Sequence, residues 1–314
     1  MAGVSVRGRA ASLGSTQGVD LVGVGFILLT SLQFGSVVVL GKIATGAGGL
    51  PIASLLAVRF ALAAVLLAAA LLLLRQPLRA APGEGWRLGL LGVAGYAVEA
   101  AFFFAGLKHG TAAAATLLFF TYPVAVALIA FFLGKGLPGW LLGGALVAAV
   151  GGAAVVAVAG GGVDIDGTGV LLELGSSLTF AVYLVGAAAV LKRTNSLVGA
   201  MWVATAAAFG LGVYVVATGA ADAPNGWHQW GPVLGMGAFT AGAFATLFAG
   251  LRRLGPVRTA ILSASEPLTA AALAAIFLGE GVGPGTVVGG IMILGAAVAA
   301  SVARAQAPAE PPIP

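Results

Sequence analysis

Phe104-Ala105-Gly106-Leu107-Lys108 returns as Phe248-Ala249-Gly250-Leu251-Arg252, an offset of 144 residues (248 minus 104). Landmarks follow both copies in the same order. Pro123 answers to Pro267, Phe132-Leu133-Gly134 to Phe277-Leu278-Gly279, and Gly139-x-x-x-Gly143 to Gly285-x-x-x-Gly289, where the offset is 146. Ser31-Leu32-Gln33-Phe34 likewise parallels Ser177-Leu178-Thr179-Phe180. Self-similarity at a fixed spacing marks a duplicated structural unit.

The nature of the unit follows from composition. Of 314 residues, 60% are hydrophobic and 8% charged, too little polar surface to cover a water-soluble globule. Apolar windows of membrane-spanning length lie at about 20–42, 52–74, 87–107, 111–133, 138–159, 168–191, 198–219, 231–251, 257–278 and 284–304. Charges and turn formers separate them, as in Arg75-Gln76-Pro77 and Lys192-Arg193-Thr194-Asn195. The break at Lys108-His109-Gly110 is the slightest. One repeat is thus about five helices. Because five is odd, the second repeat enters the membrane from the opposite side, and the expected fold is an all-α membrane protein of ten transmembrane helices in two inverted five-helix repeats. The expected divisions are an N-terminal segment 1–19, repeats 20–160 and 161–305, and a tail 306–314. Residues 1–18 carry Arg7 and Arg9 with no apolar run of signal-peptide type directly behind them, so the first apolar stretch reads as a retained helix.

Charge tests the count. With both termini cytoplasmic, Arg7, Arg9, Arg75, Arg79, Arg87, Lys135, Lys192, Arg193, Arg252, Arg253, Arg258 and Arg304 collect on the cytoplasmic side, while Asp164, Asp166, Asp222 and Glu280 fall outside. Lys42, Arg59 and Lys108 lie outside or within spans. The net charge of +5 is therefore an orientation signal, and its scatter argues against a nucleic-acid partner. Cysteine is absent, which removes disulfides and thiolate chemistry. His109 and His228 are isolated, so no metal or catalytic set can be assembled around them, and neither a cofactor nor an enzymatic activity is expected. Gly160-Gly161-Gly162 lacks the Gly-Lys-Ser/Thr of a phosphate loop and reads as the join between halves. The Gly-x-x-x-Gly pairs read as helix-packing faces, within the bundle or between protomers.

Phe277-Leu278-Gly279-Glu280 before a Gly-rich last helix, the proline within the preceding span and the two repeats of five spans together resemble the EamA-type branch of the drug/metabolite transporter superfamily. Arg59-Phe60 and the passage from Leu107 to Ala115 are similar to that family as well. Lys135 departs from the Glu common at that place in the first repeat. The resemblance implies a multi-pass protein of a prokaryotic plasma membrane that moves small metabolites, with export of amino acids or related amphipathic compounds as the expected cargo and direction. It leaves the oligomeric state open.

Charges inside a span are costly, so they should face a cavity, a partner or the bundle interior. Glu99 has Gly92, Gly95, Tyr96, Phe103 and Gly106 on or beside its helical face. A carboxyl there could bind an amine or carry a proton; the plainer alternative is an acid paired with another helix. Glu266 precedes Pro267 as Tyr122 precedes Pro123, and such paired interruptions either mark a midplane site with Pro123 and Pro267 as hinges or only kink helices for packing. Arg59 could meet a substrate carboxylate, pair with a buried Glu, or snorkel to the outer surface. Gln33, Tyr122 and Tyr183 could select a polar cargo or bridge helices. The expected substrate-binding set is Gln33, Arg59, Tyr96, Glu99, Phe103, Tyr122, Tyr183 and Glu266. An intramembrane lipid-modifying enzyme would need a convergent nucleophile or metal set, and a non-transporting scaffold would leave the buried acids without use.

Overall fold

A segment buried in hydrocarbon must satisfy its own backbone hydrogen bonds, and an apolar run of this length does so as a helix. The computed structural model describes residues 20–44, 50–106, 108–110, 115, 118–135, 138–159, 165–278 and 283–302. Its helices are α1 (Leu21–Ala44), α2 (Ile52–Leu73), α3 (Gly85–Gly106), α4 (Tyr122–Lys135), α5 (Trp140–Ala159), α6 (Gly167–Val190), α7 (Ser196–Thr218), α8 (Trp227–Ser263), α9 (Glu266–Leu278) and α10 (Pro284–Val302). Six of these, α1, α2, α3, α6, α7 and α8, are long and apolar enough to cross a membrane, and the other four contribute apolar stretches of 10–17 residues. Large apolar side chains such as Leu73, Phe132 and Val216 point outward, a surface matched to lipid.

Polar residues set the helix ends. Asp166 accepts from the Gly169 amide at the start of α6 (2.8 Å), and Asn195 accepts from Leu197 at the start of α7 (2.9 Å). The Gly169 amide and then His109 hold the Asp166 carboxyl below its ordinary range. Asp20 is lowered likewise, by the Gly23 amide and then by Arg253.

Helix packing repeats itself. α1 packs on α8 and α9, as α6 packs on α3 and α4; α2 packs on α8, as α7 packs on α3; α2 meets α7, and α5 meets α10. Exchanging each helix with the one five further on returns these same pairs. The pairs run antiparallel: Gly23 lies against Leu254 and Gly41 against Met236 in α1–α8, while Phe102 lies against Gly175 and Leu91 against Gly186 in α3–α6. Between α5 and α10, a Cβ at Gly152 would come within 2.8 Å of the Gly289 carbonyl oxygen. That contact uses one glycine of the second Gly-x-x-x-Gly pair for close backbone approach. Gly143 of the first pair faces nothing nearer than Pro138 O at 3.9 Å.

The connections sort into two ends. At one, Trp202 Nε1 donates to Leu78 O (3.0 Å), Arg252 to Thr194 O (2.9 Å), and Arg253 pairs with Asp20 (2.9 Å). This end carries Arg75, Arg79, Arg87, Lys192, Arg193, Arg252 and Arg253. At the other, Ser54 Oγ donates to Ala220 O (2.7 Å), and His109 Nδ1 lies 3.0 Å from Asp166 Oδ2. The chain does turn at Lys108-His109-Gly110, where Gly110 bridges Ile165. Glu280, Asp164, Arg7, Arg9, Arg304 and Gly160-Gly161-Gly162 lie outside the described residues.

Two windows are corrected. The eighth, 231–251, does end where expected, at a non-helical Gly255 (φ 75°, ψ 171°) where the two helical pieces grouped in α8 meet at a kink, but the ninth, 257–278, is interrupted at Ala264-Ser265 before α9. That φ/ψ region is essentially reserved for glycine, and Pro256 behind it has no amide to extend the ladder. In the fourth window, Phe119 is helical, Phe120-Thr121 form a turn, and α4 begins at Tyr122.

Candidate functional site

The two breaks correspond through the repeat offset of 144, Phe120-Thr121 to Ala264-Ser265. Each is held by the same device. Thr121 Oγ1 donates to the Leu118 carbonyl (2.6 Å) and Ser265 Oγ to the Leu262 carbonyl (2.8 Å), each beside the same residue's own amide bond to that carbonyl (3.2 and 3.1 Å). Pro123 and Pro267 therefore sit in the first turns of α4 and α9, where a missing amide costs least, and the interruption precedes them rather than occurring at them. Glu266 becomes the first residue of a half-helix whose N-terminal dipole favours negative charge.

Glu266 faces Glu99. On α3, residues 91–97 form a π-helical stretch directly before Glu99, a local widening of the kind common at functional sites. It sets Tyr96, Glu99 and Phe103 along one face. These three, with Arg59 from α2 and Glu266 from α9, line a cavity of about 60 Å³ walled by Phe34, Phe119 and Phe180. Arg59 does not snorkel: it is 4% exposed, its Nε donates to Thr240 Oγ1 (2.7 Å), and its guanidinium stacks over Phe60 at 4.9 Å. It interacts electrostatically with Tyr96, Glu99 and Glu266. Glu99 receives a long contact from Ser176 Oγ at 3.5 Å. The site thus holds one cation, two carboxyls and aromatic walls, a set able to hold an amine, a carboxylate and an apolar side chain together.

The remaining candidates stand behind or beside the cavity. Tyr122 and Tyr183 are fully buried, Tyr122 packing edge-on against Phe180 (4.7 Å) and Tyr183 against Tyr96 (5.2 Å). Gln33 lies on the α1–α8 contact, where Thr246 Oγ1 donates to its Oε1 (3.0 Å).

A family model describing EamA-like transporters matches residues 21–158 and again residues 167–302. The chain belongs to the EamA-like transporter family. A solved crystal structure shares 24% identity with this EamA-like chain, covers 90% of it and 97% of its own length, and superposes with a TM-score of 0.75. At that identity the likeness is one of fold. A search of curated proteins finds no match.

Sequence reasoning passed over two groups in this EamA-like protein. Glu173 on α6 is fully buried, with neither oxygen hydrogen-bonded among the described residues, one and a half turns into the helix and on the same face as Ser176, Ser177 and Phe180. An acid inside the window 168–191 was the available signal. Glu84 is the other: at the basic end it accepts from the Thr194 amide (2.8 Å), the Thr194 hydroxyl and the Arg193 amide (3.2 Å). Burial pushes its carboxyl up, but those hydrogen bonds and the Arg193 charge outweigh burial and leave it below the ordinary value.

Proposed function

We propose that this EamA-like protein is a ten-span transporter of inverted repeats, with both termini on the cytoplasmic side of a prokaryotic plasma membrane, that moves small amphipathic amine-bearing metabolites. The carrying observation is the convergence of Arg59, Glu99 and Glu266 among aromatic side chains at the paired helix breaks. An amino acid presents a carboxylate suited to Arg59 and an ammonium suited to either acid, so amino acids or close relatives are the cargo class this chemistry favours. If both acids are ionised, the three groups leave one negative charge uncompensated, which a bound ammonium or a proton would neutralise.

The cavity supports alternating access. At about 60 Å³ it falls well below the roughly 300 Å³ at which small-molecule pockets begin, so cargo enters only when helices part. The symmetric pairing of α1 with α8 and of α6 with α3 supplies two equivalent seams at which that parting could occur. The clustering of basic side chains at one end supports cytoplasmic termini, and export is the direction we assign.

A metabolite screen in sealed proteoliposomes under imposed proton and potential gradients tests the reading. Accumulation of amino acids or related amines, lowered about tenfold or more in Arg59→Lys, is expected; no movement of any solute under any gradient would remove the proposal.

A further inference from the structure

The α3–α6 seam is closed by a carboxyl group. Glu173 occupies the space left by Gly106: a Cβ there would overlap Glu173 Oε1 and lie 2.8 Å from Cδ. Through the repeat, Gly106 corresponds to Gly250 (offset 144) and Glu173 to Ile27 (offset 146). In the α1–α8 seam Ile27, fully buried, fills the space left by Gly250, where a Cβ would overlap Ile27 Cδ1 and lie 2.7 Å from Cγ1. The same knob therefore fills the same hole twice. At the basic end, close to Asp20 and Arg253, the knob is hydrocarbon; at the opposite end, near His109 and Asp166, it is ionisable.

Among the described residues, none gives the Glu173 carboxyl a hydrogen bond. From α3 the charge of Glu99 acts on it, with Tyr96 further along; beyond Gly106 come Lys108 and His109, the latter engaged by Asp166. α4 brings Tyr122 against Phe180, α8 meets α6 through Phe248 on Tyr183, and on α6 itself the next acid is Asp166 two turns away. An ionised carboxylate without donor or counter-charge at this depth must keep its proton or gather water. Water reaches it only if α3 and α6 separate.

We propose that Glu173 is a proton-binding site that holds the α3–α6 seam shut while protonated and releases it on ionising, opening the cavity toward the end marked by His109 and Asp166. Glu99 couples this site to the cavity, since a negative charge on either carboxyl opposes one on the other. A cation bound at Glu99 eases the loss of the Glu173 proton, and cargo would thereby favour opening at that end. This consequence rests on the transport reading; the proton site does not.

The chain has no cysteine, so Ala100→Cys in the cavity wall makes a single reporter. An impermeant maleimide is applied from the side of His109 and Asp166 between pH 6 and 9, with and without Glu173→Gln. The ratio of the two rates cancels thiol chemistry, and it should rise about tenfold per pH unit until Glu173 is ionised, then level off. Glu173→Ile, which copies the packing of the other seam, should give the same flat, slow profile as Glu173→Gln and serves if the amide fails to fold. A ratio independent of pH, or a wild-type profile that survives in either variant and disappears in Glu99→Gln, would overturn the proposal. Loss of all transport with this profile intact would sink the transport reading alone.

Discussion

Arg59 Nε donates to Thr240 Oγ1 at 2.7 Å, and Thr240 is the position that answers to Tyr96 in the other repeat (240 minus 96 is 144). Tyr96 lines the same cavity and interacts electrostatically with Arg59. Among the described residues, the buried cation of the cavity thus meets both repeat mates, one from each half. Any motion that changes the relation of α3 to α8 must change how this guanidinium is held.

Arg59→Lys keeps the charge and loses the planar fork, so it should insert normally and lower transport about tenfold or more, with the apparent substrate affinity carrying most of the loss. Arg59→Met removes the charge that faces two buried acids and should destabilise the fold by about 3–5 kcal/mol. Uptake kinetics and thermal unfolding in the same detergent separate the two effects.

Glu99→Gln and Glu266→Gln test which acid holds the ammonium. Loss of transport in one, with binding of a carboxylate-only analogue retained through Arg59, assigns the amine to that residue. Equal, near-wild-type transport in both would leave the amine without either partner.

Gly152→Ala places a Cβ 2.8 Å from a backbone oxygen of α10, which cannot swing aside as a side chain can. The variant should lose about 1–3 kcal/mol and show a lower melting temperature, while Gly144→Ala, with open space around it, should be nearly neutral.

Glu84 gives a pH dependence outside the membrane-spanning helices. Its folded-state pKa lies below the ordinary 4.5, so its stabilisation is present above pH 4.5 and is lost as pH falls through the folded value. The melting-temperature advantage of wild type over Glu84→Gln should be constant from pH 8 to about 5 and shrink below about 4.5. An advantage that grows on acidification would contradict the hydrogen bonds from Thr194 and Arg193.

Topology is open to direct labelling. Gln76 and Ala221 are exposed at opposite ends of the bundle. In intact cells Ala221→Cys should react with an impermeant maleimide and Gln76→Cys only after lysis; the reverse pattern would invert the orientation.

The duplication, the helical windows, the segregation of Lys and Arg and the position of Glu99, Arg59 and Glu266 as charges inside apolar windows could be read along the chain, because hydropathy, charge and repeat spacing are properties of consecutive residues. The tertiary structure alone decided that Arg59 stays inside, that Gln33 is engaged between α1 and α8, that the breaks precede Pro123 and Pro267, and that Glu173 stands where its repeat mate is Ile27 against a glycine. Which faces meet depends on helix rotation, on a π-helical stretch in α3 and on contacts between residues far apart in sequence. A periodicity in one dimension carries none of these.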